Sequence, residues 1–139
     1  MEREPARAPA VATRALAKRD FSEQGLRERL RRAGVTPAEE EETLGALLRA
    51  GLVDDGRFAL ARAQSLAERG KGDAAIRFDL EQQGLAADEI ETALASLEPE
   101  RERAERVIAR RGGGAATARL LARRGFDEEA VEAAVALDE

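Results

Sequence analysis

The stretch IRFDLEQQGL, residues 76–85, decides the fold because it has two siblings, LRERLRRAGV at 26–35 and TARLLARRGF at 117–126. Each phrase ends in a glycine followed by an apolar residue: Gly34–Val35, Gly84–Leu85, Gly125–Phe126. Four residues before each glycine stands Leu30, Leu80 or Leu121, and eight before stands Leu26, Ile76 or Thr117. Residues four apart share one face of a helix. A glycine just beyond that face is the expected left-handed cap, where a Cβ would clash. The apolar residue after it folds back on the helix that the glycine closes. Ten residues beyond each glycine comes Leu44, Leu94 or Val135, which extends the pattern into a following helix.

Working outward, Thr36-Pro37-Ala38-Glu39 has the form of a capping box with proline at the first helical position. Asp127 takes the cap role in the last unit, whereas Ala86 leaves the middle one weakly capped. The first helix of each unit is placed at about 8–19, 55–69 and 100–111, with Asp54 and Asp55 available to cap the second of these. Gly70-Lys71-Gly72 and Gly112-Gly113-Gly114 break the chain before the later two middle helices. Asp20-Phe21-Ser22 does so in the first unit, with Ser22 as N-cap. The reading is an all-α chain of three tandem three-helix repeats forming an elongated, curved helical array. Its boundaries are a flexible lead at 1–11 and repeats at 12–53, 54–98 and 99–139. A single repeat has too little core to stand alone, so neighbours must share faces.

Composition agrees. Of 139 residues 37% are charged and 3% aromatic, so the cores are thin and helices must approach closely through alanine faces. There is no Cys, which excludes a disulfide framework and thiolate chemistry, and no His, the commonest metal ligand and general base. Ser22, Ser65 and Ser96 therefore lack an activating imidazole. Gly112-Gly113-Gly114 lacks the Lys-Ser/Thr of a phosphate-binding loop. No apolar run reaches the roughly 18 residues of a membrane span, and Met1–Pro9 has no signal-peptide core. These features lead us to expect a cytoplasmic protein that is not an enzyme and takes no cofactor or metal.

The net charge of −5 is segregated along the chain. Residues 1–35, 57–72 and 101–125 carry net +4, +3 and +6; residues 36–56, 73–100 and 126–139 carry −5, −7 and −6. Acid collects on the third helix of each repeat and base on the earlier ones. Solvated helix faces, with acids at helix N-termini, explain part of this. The Arg-rich stretches also suit a strongly negative partner such as nucleic acid or a nucleoprotein filament.

The stretch GLVDDGRFALARAQSLAERGKGDAAIRFDL, residues 51–80, resembles the central repeat of the RecX family. It carries an Asp-Asp-x-Arg-Phe-Ala opening, an Arg-Gly-Lys-Gly break and an Ile-x-x-x-Leu helix closed by glycine. ALAKRDFSEQGLRERLRRAGV and LLARRGFDEEAVEAAV are similar to the family's opening and closing repeats, so the resemblance spans about residues 12–137. Asp73 stands where the family usually has proline, and Asp79 and Glu81 make this middle helix less basic than is usual.

The resemblance implies a regulator that lodges in the groove of the RecA–DNA filament and damps ATP hydrolysis, strand exchange and co-protease activity. It also implies no active site. A monomer is expected, and any direct contact with DNA is expected to be weak. The candidate contact residues are Arg57, Arg62, Arg69, Lys71, Arg77, Arg119, Arg123 and Arg124. Arg57 has Asp54 as a rival local partner, and Phe58 beside it reads as core. Arg69 and Lys71 flank glycines on a loop, and Arg77 lies one residue off the core face. Arg119, Arg123 and Arg124 have the dipole of their own helix as a rival. Two other classes stay open: a stand-alone helical nucleic-acid-binding protein, whose affinity would fall steeply with salt, and a helical-repeat adaptor for another protein.

Overall fold

The computed structural model describes residues 8–137, and among these are nine α-helices and no strand. They are α1 (Ala8–Lys18), α2 (Glu23–Arg32), α3 (Pro37–Arg49), α4 (Asp55–Glu68), α5 (Asp73–Gln82), α6 (Ala87–Ala95), α7 (Glu100–Arg111), α8 (Ala115–Arg123) and α9 (Glu128–Ala136). Of the lead at 1–11, residues 1–7 lie outside the described part. Residues 8–11 belong to α1, where Ala8, Ala12 and Ala15 bury one face.

The three glycines close their helices as the sequence implies. Gly34, Gly84 and Gly125 have φ of 84°, 78° and 88°. After α2 the Gly34 N–H bonds the Arg31 carbonyl at 3.0 Å and the Val35 N–H bonds that of Leu30 at 3.2 Å. After α8, Gly125 and Phe126 do the same to Ala122 and Leu121. These paired bonds satisfy carbonyls that a helix end leaves orphaned. Leu30, Leu80 and Leu121 are fully buried, as are Leu26 and Ile76.

Helix starts follow the same logic. Ser22 Oγ accepts from the Gly25 N–H, and Thr36 and Glu39 form the reciprocal capping box. Asp127 accepts from Ala130. At α6 the Ala86 side chain offers nothing, and only Glu89 reaches back to the Ala86 N–H at 2.9 Å. Asp54 caps α4 through the Arg57 N–H, whereas Asp55 accepts from the Glu23 N–H at 2.7 Å and so caps α2 instead.

The chain divides into two compact units. The first holds residues up to Phe58 with 83–85, and its core joins Ala8, Ala12 and Ala15 to Phe21, Leu26, Leu30, Val35, Leu44 and Val53. The second holds 59–82 and the chain from Ala86 onward; α7, α8 and α9 there share Ala104, Ile108, Ala118, Leu121, Phe126, Ala130 and Ala134. The third-helix register expected from Leu44 does not carry through. Val135 is 51% exposed, and the neighbouring Ala134 is the buried residue, because α9 turns an alanine edge toward α8.

Much of the charge segregation is internal pairing. Glu40, only 4% exposed, takes Arg31 at 2.9 Å and Arg27 at 2.5 Å, and Glu41 also pairs with Arg27. The Arg31 hydrogen bond, with Arg27 beside it, holds the Glu40 carboxyl below its ordinary range. In the second repeat Arg77 and Glu91 occupy the positions of Arg27 and Glu41 and pair in the same way. In the third those positions hold Ala118 and Glu132, so α8 has no matching ion pair.

Candidate functional site

The eight candidate cations separate into spent and free. Arg57 sends its guanidinium to the carbonyls of Gly51 (3.0 Å) and Leu52 (3.5 Å), beyond the end of α3, and not to Asp54. Asp54 is already engaged by the Arg57 N–H, and carbonyls past a helix end attract a cation. Phe58 is buried. Arg62 grips Asp79 with two parallel bonds, one of 3.0 Å, which joins α4 to α5. Arg77 is exposed but pairs with Glu91.

Arg69 is exposed and reaches only Ser65 Oγ, at 3.4 Å. The Lys71 ammonium and the Arg119, Arg123 and Arg124 guanidiniums have no hydrogen-bond or ion-pair partner among the described residues. The suggested capping of α8 by these arginines is thus not made through hydrogen bonds.

The fold brings the free group together. In the second unit the loop after α4 meets the end of α8: the Gly72 N–H donates to the Arg124 carbonyl at 2.7 Å and the Ala74 N–H to that of Gly125 at 3.2 Å. The Arg124 side chain lies along Gly70, where a Cβ would come within 2.7 Å of its Nη1. Arg69 and Lys71 flank that glycine. Arg123 is adjacent in sequence to Arg124, and Arg119 lies one turn before Arg123 on the exposed face of α8. Gly72 makes the contact possible, since a Cβ there would lie 2.4 Å from the backbone of Gly125 and Phe126.

Sequence reasoning missed a third contributor. Arg103, Arg106 and Arg110 line one side of a cavity of about 280 Å³, with Gly70 and Phe126 also on its wall. Arg103 is nine-tenths buried; it pairs with Asp73 at 2.8 Å, donates to the Glu98 and Lys71 carbonyls, and stands 6.0 Å over the Phe126 ring. Its Nε is buried without an acceptor. Arg106 pairs with Glu98, while Arg110 is exposed and unpaired. The signal was legible: with Ala104 and Ile108 on the core face of α7, positions 103, 106 and 110 fall together on the next face.

Glu100, the first residue of α7, ties this region together by accepting from the Asp73 N–H at 2.6 Å and the Asp127 N–H at 3.3 Å. Burial pushes its carboxyl above the ordinary value of 4.5, and the nearby Asp73 charge adds to this, although the Asp73 N–H works against it. The folded chain therefore holds this proton more tightly than the unfolded chain. The resulting stabilisation is complete below the ordinary value and is lost as pH rises through the raised one. Glu100→Gln, which keeps an acceptor but cannot titrate, should flatten that component. Urea unfolding of both proteins over this pH range checks it, and identical pH slopes would contradict the assignment.

Among the described residues no group of His, Cys, Asp or Glu is arranged to hold a metal, and no helix is long and apolar enough to cross a membrane.

Comparison with known proteins identifies relatives over most of the chain. Residues 54–94 fit the family model described as RecX, second three-helix domain. The regulatory protein RecX of Halorhodospira halophila is 35% identical over 136 residues, covering 91% of this chain and 84% of that protein. That of Chromohalobacter salexigens is 36% identical, covering 90% and 88%. The crystal structure of RecX from Lactobacillus salivarius superposes with a TM-score of 0.76 at 17% identity, covering 91% of both chains, so its fold is shared. With relatives of this identity matched over most of their length, the chain belongs to the RecX family of regulatory proteins.

Proposed function

We propose that this chain regulates recombination and DNA repair by binding the RecA–DNA filament and lowering its ATP hydrolysis, strand exchange and co-protease activity. The observation that carries the reading is the unequal fate of the cations. Acidic neighbours or backbone carbonyls occupy Arg27, Arg31, Arg57, Arg62 and Arg77, whereas Arg69, Lys71, Arg119, Arg123 and Arg124 have no acidic partner among the described residues; Arg69, Arg119 and Arg123 are exposed, and Lys71 and Arg124 are half-buried. Unspent cations near glycine loops are suited to an anionic partner that approaches the backbone closely. The chain acts on this reading as a cytoplasmic monomer and a binding module, without catalysis of its own.

Added chain should slow DNA-dependent ATP hydrolysis by RecA in a dose-dependent way, while alone it hydrolyses neither nucleotide nor DNA. Unchanged RecA turnover at saturating chain would contradict the proposal. Equally tight, steeply salt-dependent binding to naked DNA would favour a stand-alone nucleic-acid binder instead.

A further inference from the structure

Two joints inside the chain use the same positions, counted from the glycine that closes each middle helix. The donors lie twelve and eleven residues before that glycine, and the accepting carbonyl lies one before the next repeat's glycine. In the first joint Ser22 Oγ donates to the Gln83 carbonyl at 3.0 Å and the Glu23 N–H to Asp55 at 2.7 Å. In the second the Gly72 N–H donates to the Arg124 carbonyl at 2.7 Å and the Asp73 N–H to Glu100 at 2.6 Å. The closing glycine seats flat in each: a Cβ would meet the Gln24 side chain at 2.1 Å on Gly84, and Ala75 at 2.6 Å on Gly125.

Among the described residues one further donor edge and one further acceptor edge remain. The donor edge is Gly113–Gly114, before α8, and the chain's own α9 covers it. The Gly114 N–H donates to the Ala134 carbonyl at 2.8 Å, and a Cβ on Gly113 would lie 2.9 Å from Leu137 Cβ. The end of α9 thus stands where a following repeat stands in the other two joints. The cover is shallow, with Leu137 64% exposed. The acceptor edge is Ala33–Gly34, at the end of α2. Both residues are exposed, the Ala33 carbonyl accepts no hydrogen bond among the described residues, and a Cβ on Gly34 would meet nothing within 4 Å.

The geometry points to a self-docking pair: with the end of α9 displaced, Gly113–Gly114 of one copy receives Ala33–Gly34 of a second copy, head to tail, as the internal joints mate. Complementarity is already demonstrated twice within the chain. The residue on which Gly34 would seat is Ala116, which corresponds to Ala75 and is equally small. The end of α9 is then an intramolecular competitor that keeps the acceptor of another copy out, and the apparent affinity is reduced by the fraction of chains in which it is open. The first turn of α1 has no acid to play the part of Asp55 or Glu100, so this joint is weaker than the internal two.

Sedimentation velocity over a concentration series tests this. The full chain should remain one small species, and deletion of residues 134–139, which removes both the Ala134 carbonyl and Leu137 from the Gly113–Gly114 edge, should produce a mass that rises with concentration. Adding Ala33→Lys to the deletion should restore the small species, because bulk and positive charge at that edge oppose the start of α8. A deletion variant with native helicity that stays single at every concentration would overturn the proposal, as would association that Ala33→Lys does not suppress. If the deletion loses helicity by circular dichroism, Leu137→Asp in the full chain, with and without Ala33→Lys, is read by the same criteria.

Discussion

Gly72→Ala is expected to lower the unfolding free energy by about 1–3 kcal/mol through overpacking, and by about 1 kcal/mol more if the hydrogen bond to Arg124 is lost. Gly72 is buried and lies outside the left-handed region, so the cost is steric. The added Cβ would sit 2.4 Å from the Gly125 carbonyl carbon and the Phe126 nitrogen, and backbone atoms cannot rotate away as a side chain can. Gly56→Ala is the matched control. It lies within α4, its Cβ would meet only Asp54 Oδ1 at 3.4 Å, and alanine there should gain about 0.5–1 kcal/mol. Denaturant unfolding of the two variants measures both. Equal stability of the Gly72 variant and the parent would show that the loop and the end of α8 are not closely seated.

The second large effect is on recognition. Charge reversal of Arg69 and Lys71 to glutamate should weaken filament binding by roughly tenfold or more, since two attractions of up to about 1 kcal/mol each become repulsions. Helicity and melting temperature should hardly change, because neither side chain has an ion pair to lose. The structure explains why these two are the informative choice. Reversing Arg62 would leave Asp79 facing a like charge, and reversing Arg77 would do the same to Glu91, so loss of binding there would be mixed with loss of fold.

The helices were legible because their signals are local. A leucine four residues before a glycine, a Ser or Thr before a helical run and a proline at its first position each act within one turn, and α4 and α7 begin where the sequence places them. The fate of charges was not legible in the same way, since it depends on partners 6 to 32 residues away, beyond a helix turn. Asp55 reads as a cap for its own helix and caps α2 instead, and Glu100 reaches back to α5. Arg62 is a contact candidate in the sequence and is held by Asp79 across a helix pair. Val135 fits the repeat pattern on paper, but α9 packs along α8 through Ala130 and Ala134 and leaves it outside. The arginine row at 103, 106 and 110 was visible as a helical spacing; what could not be read was that it shares a cavity wall with Gly70.

Co-sedimentation of the chain with preformed RecA–DNA filaments across a salt series, parent against the Arg69→Glu, Lys71→Glu double variant, measures the filament contact directly. The parent should pellet with the filament, the double variant should remain largely in the supernatant at low and moderate salt, and its salt dependence should be shallower because two ionic contacts are gone. Co-sedimentation of the double variant at the level of the parent, with the same salt dependence, would contradict this and would place the contact away from the joint where Gly72 meets Arg124.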